Sequence, residues 1–330
     1  MDWAKKLSKR VFTLKNPEDF FSLALDVFHF QYENNKVYQT FCDTLRVSPA
    51  DVTKIEEIPF LPVELFRGGH VKAFDDEAAH TFVSSGTTGA EPSVHPVRDV
   101  GLYEKSFVNC FRRFYGEPGS WCILALLPSY LERKGSSLVY MAKRLIDLSG
   151  HPEGGFYLDD LDGLADKLKK LSRDGQPILL LGVSFALLDL AEQHPMPLKN
   201  VIVMETGGMK GRRREMIREE LHHVLCSAFH QDRIHSEYGM TELLSQAYSQ
   251  GGGSFACPPW MSILIRDSHD PLTFTGHQRT GGINVIDLAN IYSCSFIATG
   301  DLGRTYPDGH FEVLGRFDNS DVRGCNLMVG

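Results

Sequence analysis

Between Cys122 and Cys226 short apolar runs alternate with amphipathic ones, and this alternation limits the fold more than any other feature of the chain. The runs 122–127, 178–182 and 201–204 are almost wholly apolar and have the length of buried strands. The intervening segments 136–147, 158–172, 185–194 and 212–226 read as helices, the second with Asp159 or Asp160 near its start. Strand–helix alternation predicts a mostly parallel sheet covered by helices, so the expected fold class is α/β. After Gly251 the pattern changes: short β-type runs at 262–266, 282–287 and 311–314 sit between turns. The expected organisation is an α/β lobe over 1–250 and a smaller β-rich lobe over 251–330, with Gly251-Gly252-Gly253 at the boundary.

The amino-terminal part adds helices and a stiff connector. Residues 17–46 read as helical, opened by Asn16-Pro17-Glu18, and Ile58-Pro59-Phe60-Leu61-Pro62 is held extended by its prolines. Thr81-Phe82-Val83 is a short strand. A net charge of -8 argues against non-specific binding to nucleic acid or to anionic membranes. No apolar run approaches the ~18 residues of a membrane span, and the charged start at Lys5 and Lys6 is unlike a signal peptide. Seven cysteines without a CxxC pair point to a reducing, cytoplasmic setting.

Three motifs carry chemistry. Ser84-Ser85-Gly86-Thr87-Thr88-Gly89 follows a strand, and its hydroxyls, backbone N–H groups and glycines suit polyphosphate oxygens. The segment lacks the GxxxxGKS/T pattern, so it is not a Walker loop. In Tyr238-Gly239-Met240-Thr241-Glu242, tyrosine offers a face for a base, Thr241 a phosphate hydrogen bond, and Glu242 a carboxylate for Mg²⁺. Thr299-Gly300-Asp301 and Gly315-Arg316-Phe317-Asp318 supply an acceptor for ribose hydroxyls and a guanidinium for phosphate or ribose oxygens. Each motif alone also reads as an ordinary turn or helix start.

In this order and together, the three motifs resemble the acyl-adenylate-forming superfamily of acyl-CoA synthetases, luciferases and peptide-synthetase adenylation domains. The resemblance runs from about Phe82 to the carboxyl end. It implies that Ser84–Gly89 contact ATP phosphates, that Tyr238 stacks on adenine, and that Thr241 and Glu242 orient phosphates and Mg²⁺. It further implies that Asp301 binds ribose, that Arg316 leads into a hinge, and that Gly207-Gly208 line the adenine pocket. Within the superfamily, residues 58–66, 127–141 and 257–267 look like the acyl-protein synthetase (LuxE-type) family. That family activates a fatty acid with ATP and passes the acyl group through a cysteine to a partner protein such as an acyltransferase or reductase.

The chain also departs from the pattern. It stops at Gly330, just past the hinge-like stretch 318–324, whereas most of the superfamily continues into a lid domain that supplies a lysine. Lys210, directly after the glycine pair, is the expected substitute, since basic residues are unfavourable at a helix start unless a ligand uses them. Ser93 stands about where the phosphate loop has a trailing lysine, with Arg98 beyond. Cys325 is the expected acyl acceptor, with Arg323 nearby to favour the thiolate. An inert cysteine, a coenzyme A ligase and a non-catalytic nucleotide-binding protein are the competing readings. His222 and His223, being adjacent, face different sides of a helix and do not form a metal pair. Pro128-Ser129-Tyr130, Phe185, Trp260 and His235 are expected around the acid.

Overall fold

A computed structural model describes residues 3–84, 91–127, 135–207 and 216–317. Three helices open the chain: α1 (Trp3–Val11), α2 (Pro17–Asn34) and α3 (Lys36–Thr44). Helix α2 starts as its sequence demands, with the Asn16 side chain accepting from Asp19 N and Pro17 in the first turn. The single helix expected over 17–46 is divided at Asn35, whose extended backbone (φ -111°, ψ 103°) breaks the run. Asn35 closes α2 through its N–H and caps α3 through its side chain, which accepts from Tyr38 N.

These helices are keyed to the rest of the molecule by two buried amides. Gln31 Nε2 donates to the carbonyls of Asn290 and Ile291, both at 2.9 Å, and its Oε1 accepts from Ser295 N at 2.9 Å. Asn35 Nδ2 donates to Ser293 O at 3.0 Å. Each is fully buried and satisfied, so the docking is specific as well as apolar.

The strand β1 (Leu61–Pro62) comes from the proline-stiffened connector, and β2 (His80–Val83) pairs antiparallel with β3 (Val94–Val97) in a separate ribbon. Helix α4 (Val100–Tyr115) follows, capped by Asp99 and ended by Gly116 at φ 76°. Then comes the expected alternation: β4 (Cys122–Leu126), α5 (Ser137–Ser149), β5 (Gly155–Tyr157), α6 (Leu161–Arg173), β6 (Ile178–Gly182), α7 (Ser184–Gln193), β7 (Val201–Glu205), α8 (Arg218–Phe229) and β8 (His235–Tyr238). Asp160 is the N-cap of α6. Helix α8 runs to Phe229, three residues past the expected end, and stops where His230 turns left-handed (φ 50°).

The remaining strands are β9 (Ala247–Ser249), β10 (Ser254–Ala256), β11 (Met261–Arg266), β12 (Gly281–Asp287), β13 (Phe296–Thr305) and β14 (Phe311–Arg316). Twelve strands form one sheet in the order β11-β12-β13-β14-β10-β9-β8-β7-β6-β4-β5, with β1 beside β13. From β5 to β8 the pairs are parallel; from β8 to β9 onward they are antiparallel, β1–β13 excepted. Strands β4 and β6 are buried throughout, as strands covered on both faces must be. Gly251-Gly252-Gly253 lie in the turn between β9 and β10, all with positive φ. No described helix is long and apolar enough to cross a membrane.

Candidate functional site

The change from parallel to antiparallel pairing at β8 gathers residues from distant parts of the chain. Tyr238 ends β8, and its hydroxyl donates to Asp301 Oδ2 at 2.9 Å. Its ring is held edge-on by Phe255 and Phe311, with centroids at 6.1 and 5.6 Å. Asp301 lies inside β13 rather than in a turn, directly opposite Arg316 on β14, and Arg316 Nε is 3.5 Å from Asp301 Oδ1. Arg316 is mostly exposed while Asp301 is largely covered, so the guanidinium can move and the carboxylate is fixed. Arg266 braces this corner from beneath, donating to Ile283 O, Asn284 Oδ1 and Thr299 O and lying 5.3 Å from the Phe317 ring.

The turn after Tyr238 is clamped on several sides. His95 Nδ1 donates to Thr241 O at 2.8 Å, and Asn290 Nδ2 donates to Glu242 O at 2.8 Å and Cys294 O at 2.9 Å. Asp287 accepts from Leu244 N, Ser245 N and Ser245 Oγ at 2.7, 2.9 and 2.5 Å. The Glu242 side chain is buried, which pushes its carboxyl up; a hydrogen bond from Ser93 and the charge of Arg316 act against that. Ser93 also closes the ends of the phosphate-loop segment: its N–H donates to Ser84 Oγ at 2.8 Å, and Ser84 N donates to Ser93 O at 3.0 Å. Ser84, Ser93, Glu242 and Arg316 are thus brought into one neighbourhood.

Among the described residues no group of three or more His, Cys, Asp or Glu could hold a metal ion. A lone buried carboxylate flanked by a serine hydroxyl nonetheless fits Mg²⁺, which takes one or two carboxylates and completes its shell with phosphate and water. His222 joins a hydrogen-bonded network, His230 caps α8, and His235 is buried with Nδ1 3.2 Å from Tyr115 Oη. Trp260 is core, its Nε1 donating to Ser106 and Ser245, and Phe185 is half-buried against the core.

Sequence reasoning missed the network beneath Gly207. Glu205 ends β7, and its Oε2 accepts from Gly207 N at 2.7 Å, fixing the left-handed turn at Gly207 (φ 71°). Arg218 Nε lies 3.3 Å and His222 Nε2 3.6 Å from Glu205 Oε1, while Arg218 Nη1 donates to Val313 O at 2.6 Å. Burial alone would raise this carboxyl; the His222 hydrogen bond and the Arg218 charge hold it down at about 2. The last paired rung between β7 and β8 is Glu205↔Ser236, and Gly207 and Tyr238 each follow it by two residues. The only signal for this in the sequence is an acidic residue at the end of an otherwise apolar strand.

Of the residues expected to act, Ser84, Gly207, Tyr238, Thr241, Glu242, Asp301 and Arg316 are described and cluster at this edge. Ser85, Gly86, Thr87, Thr88, Gly89, Gly208, Lys210 and Cys325 lie outside the described residues, as do 128–130. A cavity of about 340 Å³ bordered by Val201, Arg233, His235 and Gln250 opens at the amino ends of β7 and β8, the opposite end from these residues. Of the expected residues that are described, His235 alone borders it.

The family described as acyl-protein synthetase, LuxE, matches residues 14–100. No curated protein sequence matches the chain. Among solved structures, ATP-bound MatB from Rhodopseudomonas palustris is similar with a TM-score of 0.53 and 16% identity, covering 74% of this chain and 50% of that one. A 2-hydroxyisobutyryl-CoA ligase in complex with 2-HIB-AMP and CoA gives a TM-score of 0.68 and 13% identity, covering 92% of this chain and 69% of that one. The same ligase in an open conformation gives 0.67 and 12%. The fold is therefore shared with MatB and with this CoA ligase, and the chain spans about half the length of MatB.

Proposed function

We propose that the chain activates a carboxylic acid with ATP, releasing pyrophosphate and forming an acyl-adenylate, and then passes the acyl group to a thiol. The observation that carries this reading is the convergence of Tyr238, Asp301 and Arg316 with Ser84, Ser93 and Glu242 at the carboxyl end of β8. A nucleoside and a polyphosphate need just these two sets of groups side by side. The match of residues 14–100 to an acyl-protein synthetase family and the shared ligase fold support it.

In this reading Tyr238 and Gly207 border the adenine, and Asp301 accepts from ribose hydroxyls. Gly208 lines the adenine pocket with Gly207, and Ser84, Ser85, Gly86, Thr87, Thr88 and Gly89 cradle the phosphates, with Thr241 beside them. One carboxylate oxygen of the acid attacks the α-phosphorus, a new P–O bond forms, and the bond to pyrophosphate breaks. Such chemistry depends on positioning and charge neutralisation. Glu242 would hold Mg²⁺, which when bound screens the phosphate charges. Lys210 and Arg316 supply protein cations. A thiolate then attacks the acyl carbonyl and AMP leaves. Cys325 is the nearest candidate in the sequence; a partner-protein thiol and coenzyme A are the other acceptors. The family resemblance points to a fatty acid and to a partner acyltransferase or reductase. Six described cysteines are free thiols, which suits a reducing cytoplasm.

Product analysis tests the reading. Incubation with ATP, Mg²⁺ and a panel of acids should yield AMP and pyrophosphate in equal amounts, and hydroxylamine should trap the activated acyl group as its hydroxamate. ADP and phosphate as the only products would refute it. Lys210→Ala should lower the rate about a hundredfold if Lys210 carries transition-state charge; an unchanged rate removes Lys210 from the mechanism.

A further inference from the structure

Three polar groups on adjoining strands stand without partners although the polar interior around them is satisfied. Thr206 Oγ1 and Gln246 Oε1 are buried with no hydrogen bond. The carboxyl group of Glu237 forms no hydrogen bond or ion pair among the described residues; only burial and the charge of Glu205 act on it, and together they push it up to about 8. By contrast, Asp287, Asn290 and Glu205 nearby each receive or make several hydrogen bonds.

Strand register puts the three groups in a row. The parallel rungs Met204↔His235 and Glu205↔Ser236 are the last between β7 and β8, and Thr206 and Glu237 are the next residue along each chain. The antiparallel rung Tyr238↔Ala247 continues to Gln246 beside Gly239. A Cβ on Gly239 would lie 2.4 Å from Glu237 Oε1 and 3.4 Å from Gln246 Cγ, so the glycine is what lets this carboxyl and this amide approach. Alternation along β8 places the row on the sheet face opposite Tyr238. That face is lined by Tyr103, Tyr115 and Tyr248, all of which feel the charge of Glu237. Thr206 immediately precedes Gly207 and Glu237 immediately precedes Tyr238, so the row borders the nucleotide elements at the sheet edge where open α/β folds bind ligands.

Orphaned buried polar groups are costly and uncommon, and here two of them flank a part-exposed carboxyl that has no partner among the described residues, a surface that a donor-bearing ligand can satisfy. Gln246 Oε1 is an acceptor, the Thr206 hydroxyl can accept, and the Glu237 carboxyl accepts through its carbonyl oxygen when neutral and through both oxygens when ionised. We propose that Thr206, Glu237 and Gln246 form a polar subsite for a hydrogen-bond donor on the acyl chain, so that the acid is an amino- or hydroxy-substituted carboxylic acid, not a plain fatty acid. The proposal rests on the acyl-adenylate reading for the identity of the ligand. Its claim about which groups recognise that ligand is independent of the reaction.

The test compares hexanoate with its 2-amino, 2-hydroxy, 6-amino and 6-hydroxy derivatives on the full chain. Acid-dependent exchange of pyrophosphate into ATP and calorimetric binding are read in parallel. At least one derivative should be preferred over hexanoate by about tenfold or more, because a site built around polar groups rejects a ligand that leaves them unpaired. Glu237→Gln and Thr206→Val, both close in shape to the native side chains, should each shrink that preference about threefold or more without weakening hexanoate. Equal use of hexanoate and all four derivatives, or a preference that survives both variants, overturns the subsite. So does failure of all five acids to bind. Exchange absent with every acid, alongside a calorimetric preference that the variants reduce, refutes the adenylation reading and upholds the subsite.

Discussion

Single residues at this site are set by how each charge is compensated. Glu242 is buried, and among the described residues the Ser93 hydroxyl, its own backbone N–H and the charge of Arg316 act on its carboxyl against that burial, so a further cation would stabilise it. Glu242→Gln should keep the fold and lose Mg²⁺-dependent turnover by about a hundredfold or more; near-normal turnover in a Mg²⁺ titration would remove Glu242 from the mechanism. Burial holds the pKa of His95 and of His235 at about 4, against 6.5 in the unfolded chain. Between those values the unfolded state binds more protons, so the stability from each neutral ring is full above pH 6.5 and drains as the pH falls toward 4. Glu237 has the opposite sign. Its folded value of about 8 exceeds the ordinary 4.5, so it weakens the fold as the pH rises through that window. Urea midpoints should therefore show Glu237→Gln gaining on the native protein from pH 5 to 8, by on the order of a few kcal/mol at the upper end. A constant difference across that range would show that the carboxyl is ordinarily ionised.

Elements position these residues, and here the sequence was only partly informative. The alternation across 122–226 was legible because β4 and β6 are buried on both faces and read as unbroken apolar runs. Helix α4 was not read from the sequence, although its buried positions 102, 103, 106, 107, 110 and 111 recur at helical spacing; Ser106 and the part-polar Tyr103 and Cys110 among them dilute its apolar face. The break at Asn35 was equally hidden: an asparagine between two helical runs reveals itself only when its side chain caps the second. The Tyr238 to Glu242 segment and the Thr299 to Asp301 segment were recognisable as motifs, yet their closeness depends on β8 and β13 meeting across the sheet. The clamp formed by His95, Asp287 and Asn290 was invisible in the sequence, since its members lie up to 195 residues apart. Asn290→Ala removes the donors to Glu242 O and Cys294 O, and should cost about 1–3 kcal/mol in urea unfolding. It should also lower turnover more than it raises the KM for ATP, because the turn that presents Glu242 loses its anchor. A matching rise in KM with turnover intact would place the clamp's effect in ground-state binding.

For the molecule as a whole, one sheet joins a parallel half, which ends in the Gly207 and Tyr238 edge, to an antiparallel half that brings Asp301 and Arg316 to the same edge. The amino-terminal helices lock onto the connection between β12 and β13 through Gln31 and Asn35, the same connection whose Asn290 holds the Glu242 turn. Docking of the first helices and geometry of the site are therefore coupled through a single loop. The central claim is that this assembly makes an acyl-adenylate, and acid-dependent exchange of radiolabelled pyrophosphate into ATP measures that step alone, whatever thiol follows. Exchange that requires both a carboxylic acid and Mg²⁺, and that falls away in Glu242→Gln, is the predicted result. ATP binding to the intact site without exchange, across acids with and without polar substituents, would contradict it.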